Sequence, residues 1–94
     1  MINSLISNEK VCFVCGNPNV VLHHVYEGHA NRPKSDTYGC VVWLCPRHHN
    51  MSNEGVHMNH ELDLQLKRLC QGLWQEHYKA TTEEFRTIFG KSYI

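Results

Sequence analysis

Two short knuckles, Cys12-Phe-Val-Cys15 and Cys45-Pro-Arg-His48, constrain this chain more than any other feature of its sequence. Each sets two metal-ligating side chains three positions apart, so that both can reach one ion from a single turn. Together they supply Cys12, Cys15, Cys45 and His48, a closed tetrahedral set of the Cys3His kind that suits a structural zinc ion. Size explains why such a staple is useful. The chain has 94 residues and reads as a single domain. At that length folding hides only roughly 60–65% of the unfolded chain's surface, and a metal or disulfides commonly add the missing stability. Five cysteines, an odd number, argue against a fully paired disulfide framework, and eight histidines beside them point to metal. The first ten residues lack a basic stretch leading into an apolar one, so no secretion signal is expected. A reducing, cytoplasmic setting follows, in which clustered cysteines serve as ligands rather than bridges.

The long segment between the knuckles must form structure of its own. Val20 to Tyr26 (VVLHHVY) and Cys40 to Leu44 (CVVWL) read as short strands. Glu27 to Gly39 between them is polar, with two glycines and a proline, and reads as a connection. Pro46 suits the first turn of a short helix. From Glu61 to Lys79, Leu62, Leu66, Leu69 and Leu73 recur at helical spacing, with Cys70, Trp74 and His77 widening the apolar face. Thr81 and Glu84 form a capping-box pattern ahead of a last helix near Thr82 to Phe89, which Gly90 should end. Cys40 and Cys70 fall in apolar patterns and read as core residues.

A second constellation lies beside the first. His23-His24 closes the first strand, and His48-His49-Asn50 opens the helix after the second. If His48 completes the zinc site, His49 and one strand histidine can hold a second divalent ion with open positions, the mark of a catalytic rather than a structural metal. The other strand histidine, with an ordinary pKa of about 6.5, can take a proton from water. Adjacent strand side chains point to opposite faces. The two therefore share a site only if the strand ends or bulges there.

The series Cys-x-x-Cys, Leu22-His23-His24-Val25, Asn31 and Leu44-Cys45-Pro46-Arg47-His48-His49-Asn50 resembles the HNH endonucleases, the ββα-metal or His-Me finger nucleases. It is most similar to small phage-type members that carry a structural zinc, which would make the chain phage- or bacterium-encoded. The resemblance covers about Cys12 to His60. It implies an α+β fold, a ββα-metal finger over about 11–60 stapled by zinc, with residues 61–94 as a helical C-terminal extension. It implies that His23 is a ligand of the catalytic metal and His24 the general base. Asn31 matches the residue that ties down the loop aiming that base. His49 matches the helix-borne metal ligand, Asn50 shares that role or caps the helix, and His57 matches a further ligand found in some members. Many members close the zinc site with a fourth cysteine where this chain has His48, which leaves open that His48 serves the catalytic metal instead.

The activity so implied is hydrolysis of DNA phosphodiester bonds with one metal, leaving 5′-phosphate and 3′-hydroxyl ends. Mg, Mn, Ni or Zn would serve as that metal, two imidazoles favouring a borderline ion. Phosphate contacts would come from Arg32, Lys34, Arg47, Lys67 or Arg68, with Tyr38 packing on the backbone. Nine Lys and Arg balance nine Asp and Glu. That balance excludes a strongly basic coat protein or an acidic tail and predicts weak, salt-sensitive DNA affinity. A protein partner or a homodimer would then assist double-strand cutting. No apolar run approaches the roughly 20 residues of a membrane span, so no membrane partner is expected. Two readings compete: a non-catalytic zinc module that binds nucleic acid or protein, and a Cys12/Cys15 redox dithiol. The first gives His23, His24 and His49 no shared purpose, and the second lacks a βαβ context.

Overall fold

A computed structural model of the chain describes residues 4–49, 55 and 59–94. Its element order is β1 (Val21–His24), α1 (Arg32–Tyr38), β2 (Val41–Leu44), α2 (Pro46–His49), α3 (His60–Tyr78) and α4 (Thr82–Phe89). The architecture is mixed α+β. β1 and β2 pair antiparallel, with Val21 opposite Leu44, Leu22 opposite Trp43, His23 opposite Val42 and His24 opposite Val41. A bond from Val25 N–H to the Cys40 carbonyl (2.9 Å) carries the ladder one step further.

The segment read as a polar connection contains a helix. α1 has proline in its first turn and ends at Gly39, whose φ of 74° is one that L side chains rarely adopt. It has no apolar periodicity because it buries a single residue, Ser35. That hydroxyl accepts the Tyr26 N–H (3.1 Å) and donates to the Tyr26 carbonyl (2.7 Å). It thereby satisfies the backbone where the hairpin partner runs out.

α3 and α4 lie close to their expected positions. Asn59 caps α3, accepting from Leu62 N–H, and the Thr81–Glu84 capping box opens α4. The buried side of α3 is Leu66, Cys70, Gln71 and Trp74, whereas Leu69 is 41% exposed and His77 is exposed. The face therefore centres on the 66–70–74 row rather than on the full leucine repeat. Gln71 is wholly buried, and its bonds explain how a polar side chain takes a core position. Its amide donates to Gln75 Oε1 (2.9 Å) and Ser92 Oγ (3.0 Å), and its carbonyl accepts Tyr93 N–H (2.7 Å).

The core joins Val25, Tyr26, Cys40, Val42 and Leu44 of the hairpin to Leu66, Cys70 and Trp74 of α3 and Phe85 and Phe89 of α4. Tyr26 touches the Phe85, Phe89 and Tyr93 rings, and its hydroxyl donates to the Lys67 carbonyl (2.6 Å). Cys40 and Cys70 are fully buried, as expected. Contact with Cys70, together with burial, pushes the Cys40 thiol well above the usual range, so it stays neutral. Among the described residues no helix is long and apolar enough to cross a membrane.

Candidate metal centre and the adjoining cleft

The first knuckle is a tight turn, with Gly16 N–H bonded to the Cys12 carbonyl and Cys12 N–H to the Asn17 carbonyl, both at 2.8 Å. Phe13 N–H bonds to the Trp43 carbonyl (2.9 Å), which docks this turn on β2. The second knuckle begins directly after β2, so α2 presents His48 to the same point. The four predicted ligands converge: their donor atoms all lie within 4.8 Å of one another. Cys15 Sγ is 3.7 Å from Cys45 Sγ, and His48 Nδ1 is 3.7 Å from Cys12 Sγ and 3.3 Å from Cys45 Sγ. Tetrahedral zinc with Zn–S near 2.3 Å would set two sulfurs about 3.8 Å apart and a sulfur and an imidazole nitrogen about 3.6 Å apart. The cluster can therefore hold a structural ion such as zinc with little rearrangement.

Its electrostatics agree with that use. Burial disfavours a thiolate at Cys12. The backbone N–H groups of Cys45, Cys15 and Val14 outweigh it and bring the Cys12 pKa down to about 6. At Cys15 the Asn17 N–H favours the thiolate, but desolvation and the adjacent Cys12 and Cys45 sulfurs push its pKa up. One negative sulfur thus resists a second, and a divalent cation relieves that repulsion.

Beyond the end of β1 lies an open cleft of about 720 Å³ lined by Leu22, His23, His24, Glu27, Gly28, His29, Arg32, Pro33, Asp36 and His49. The strand ends at His24, so His23 and His24 reach one cleft from opposite faces of the sheet. Gly28, with φ at 94°, turns the chain back toward α1. His23 is buried on the core face, and its ring meets that of His49 edge-on at 5.4 Å. Successive helical residues point about 100° apart. One turn of α2 therefore gives His48 to the cysteine cluster and His49 to the cleft. His24 Nε2 is 2.8 Å from Asp36 Oδ1, with the imidazole mostly covered and the carboxylate exposed.

Other predicted residues sit elsewhere. Asn31, at the start of α1, donates from Nδ2 to the Phe89 carbonyl (3.0 Å), so it ties α1 to the end of α4. Lys34 does the same through Ile88 (2.6 Å). Arg68 Nε–H bonds to the Tyr93 carbonyl (3.2 Å), and Tyr38 packs among the Trp74, Tyr78 and Phe89 rings. Of the proposed phosphate contacts, Arg32 lines the cleft, while Arg47 is exposed on α2. Asn50 and His57 lie outside the described residues.

Three acidic residues at or beside the cleft went unread in the sequence. Asp36 falls one turn after Arg32 on α1, a relation visible only once α1 is recognised from Pro33 and Gly39. Glu27 and Asp63 gather beside His23, the ligand atoms of all three lying within 4.8 Å of one another. Lys67 sits against them, its amine 2.8 Å from Asp63 Oδ2 and 3.3 Å from Glu27 Oε1. No protein-family model, curated protein or solved structure matches the chain.

Proposed function

We propose that the chain is a metal-dependent endonuclease of the ββα-metal type, cutting DNA to leave 5′-phosphate and 3′-hydroxyl ends. One observation carries the reading: His23, His24 and His49 line a single open cleft beside a separate, closed Cys3His cluster. The β1–β2 hairpin followed by α2 supplies the two strands and helix that such a finger requires. The cysteine cluster fixes the hairpin and the start of α2. His23 and His49 then face each other as a ligand pair for a divalent ion. When bound, such an ion supplies Lewis-acid stabilisation of charge developing on phosphate.

The chain's own residues supply the rest. His24 donates Nε2–H to Asp36, which leaves Nδ1 with the lone pair that takes a proton from water. Asp36 orients the ring. Arg32 offers a guanidinium fork to a phosphate in the cleft. The test is cleavage of supercoiled plasmid with Mg, Mn, Ni or EDTA, comparing wild type with His24→Ala. Metal-dependent nicking that vanishes in the folded variant is expected. A folded, zinc-loaded wild type that cuts with none of these metals overturns the reading in favour of a non-catalytic zinc module.

A further inference from the structure

Glu27 lies just beyond β1 and Asp63 in the first turn of α3, yet both carboxylates meet the buried ring of His23. One nitrogen and two oxygen donors within 4.8 Å of one another form a mixed set. Metal–ligand bonds near 2.1 Å would bring such donors about 3–3.5 Å apart, a side-chain adjustment rather than a backbone one. His49 stands against His23 on the cleft side and offers a second imidazole. The cleft leaves room for water and substrate oxygens.

Two carboxylates this close to each other require a cation, and Lys67 provides one. Its ammonium neutralises one of the two charges. A divalent ion on the same oxygens would neutralise both. In that same position the amine also lies 5.4 Å from the centre of the Tyr93 ring. Releasing the carboxylates needs only rotation of this long side chain, not movement of α3.

We infer that Glu27 and Asp63 join His23 as ligands of the divalent ion in the cleft, and that Lys67 is the internal cation this ion displaces. The inference builds on the cleft ion of the proposed function and adds a ligand from the helical half. Lys67 then tunes affinity, since each ion bound must first evict an ammonium that is never diluted away.

The test is manganese binding to the zinc-loaded full chain, followed by loss of the free Mn(II) spin-resonance signal, without DNA. Wild type, Glu27→Gln, Asp63→Asn and Lys67→Met are compared, with zinc content and circular dichroism confirming the fold. Loss of either carboxylate should weaken binding by about tenfold or more, and Lys67→Met should tighten it. Wild-type affinity in both Glu27→Gln and Asp63→Asn overturns the ligand assignment, as does a wild type that binds no manganese. Unchanged affinity in Lys67→Met overturns the displacement. Glu27 is exposed, so its variant remains informative if Asp63→Asn misfolds. Carboxylate-dependent binding in a protein that cuts no DNA sinks the nuclease reading and leaves this one standing. Cleavage with carboxylate-independent binding does the reverse.

Discussion

Residues 4–49 and residues 59–94 meet the small-domain problem by different means. The first half gathers Cys12, Cys15, Cys45 and His48 around one point. The second half stacks rings: Trp74, Phe85 and Phe89 contact one another and close over Tyr26 and Tyr38. A half fixed by ligands can place four histidines along an open cleft, where apolar side chains would otherwise be needed. A half fixed by packing must bury the centre of its apolar face, the row Leu66, Cys70 and Trp74. It contributes to the polar chemistry from one place, the first turns of α3.

The sharpest way to break this contrast is to remove a ligand. Cys45→Ser should release the ion and unfold the hairpin half, since apparent binding energies of about 10–16 kcal/mol for structural zinc exceed the stability of most small domains. Zinc content and far-ultraviolet circular dichroism check it. Acid should act similarly. The folded Cys12 pKa lies below the ordinary thiol value, so its contribution is fully present above that value, about pH 9, and gone below about pH 6. In the ion-free protein, stability should therefore fall as pH drops from 9 to 6. Zinc retention in the loaded protein should fail at acid pH, where protons compete for the same sulfurs.

His24→Ala should separate function from fold. On the proposed function it removes the proton acceptor, with an expected loss of about 10²–10⁴ in rate, and should leave zinc content and melting temperature unchanged. A drop in both would place His24 in the staple instead. In the other half, Gln71→Ala removes three partly buried hydrogen bonds and should cost about 2–4 kcal/mol, read from a denaturant titration. Thr81→Ala loses the α4 capping box and should cost only about 1 kcal/mol by the same measurement. Neither helical variant should release zinc. If either does, the two halves fold as one unit and the contrast fails.

What could be read from the sequence divides along the same line. The knuckles were legible because each carries its ligands three residues apart, so local spacing alone predicts convergence. α4 was legible because Thr81, Glu84 and Gly90 mark its ends by short-range rules. α1 was not, since a seven-residue helix that buries only Ser35 has no periodicity to find. Leu69 misled and Gln71 gave no signal, for a related reason. The leucine repeat spans more of the helix than the core accepts, and a glutamine enters the core only because Ser92 and Tyr93 come back to meet it. Glu27, Asp36 and Asp63 carry no local signature. Their neighbours arrive from other elements, and only the assembled fold brings them to the histidines.

The four-residue helix α2 gives adjacent side chains to two different clusters, His48 to the sulfurs and His49 to the cleft. Thermodynamic linkage follows from that sharing. If an ion at one cluster orders α2, it removes that entropy cost at the other, so an ion held by the cysteines would raise the cleft's affinity for an ion of its own. By reciprocity the cleft ion raises zinc affinity by the same factor. Chelators would then strip the loaded protein cooperatively, and a chain short of zinc would have a weakened cleft before any residue lining it has changed.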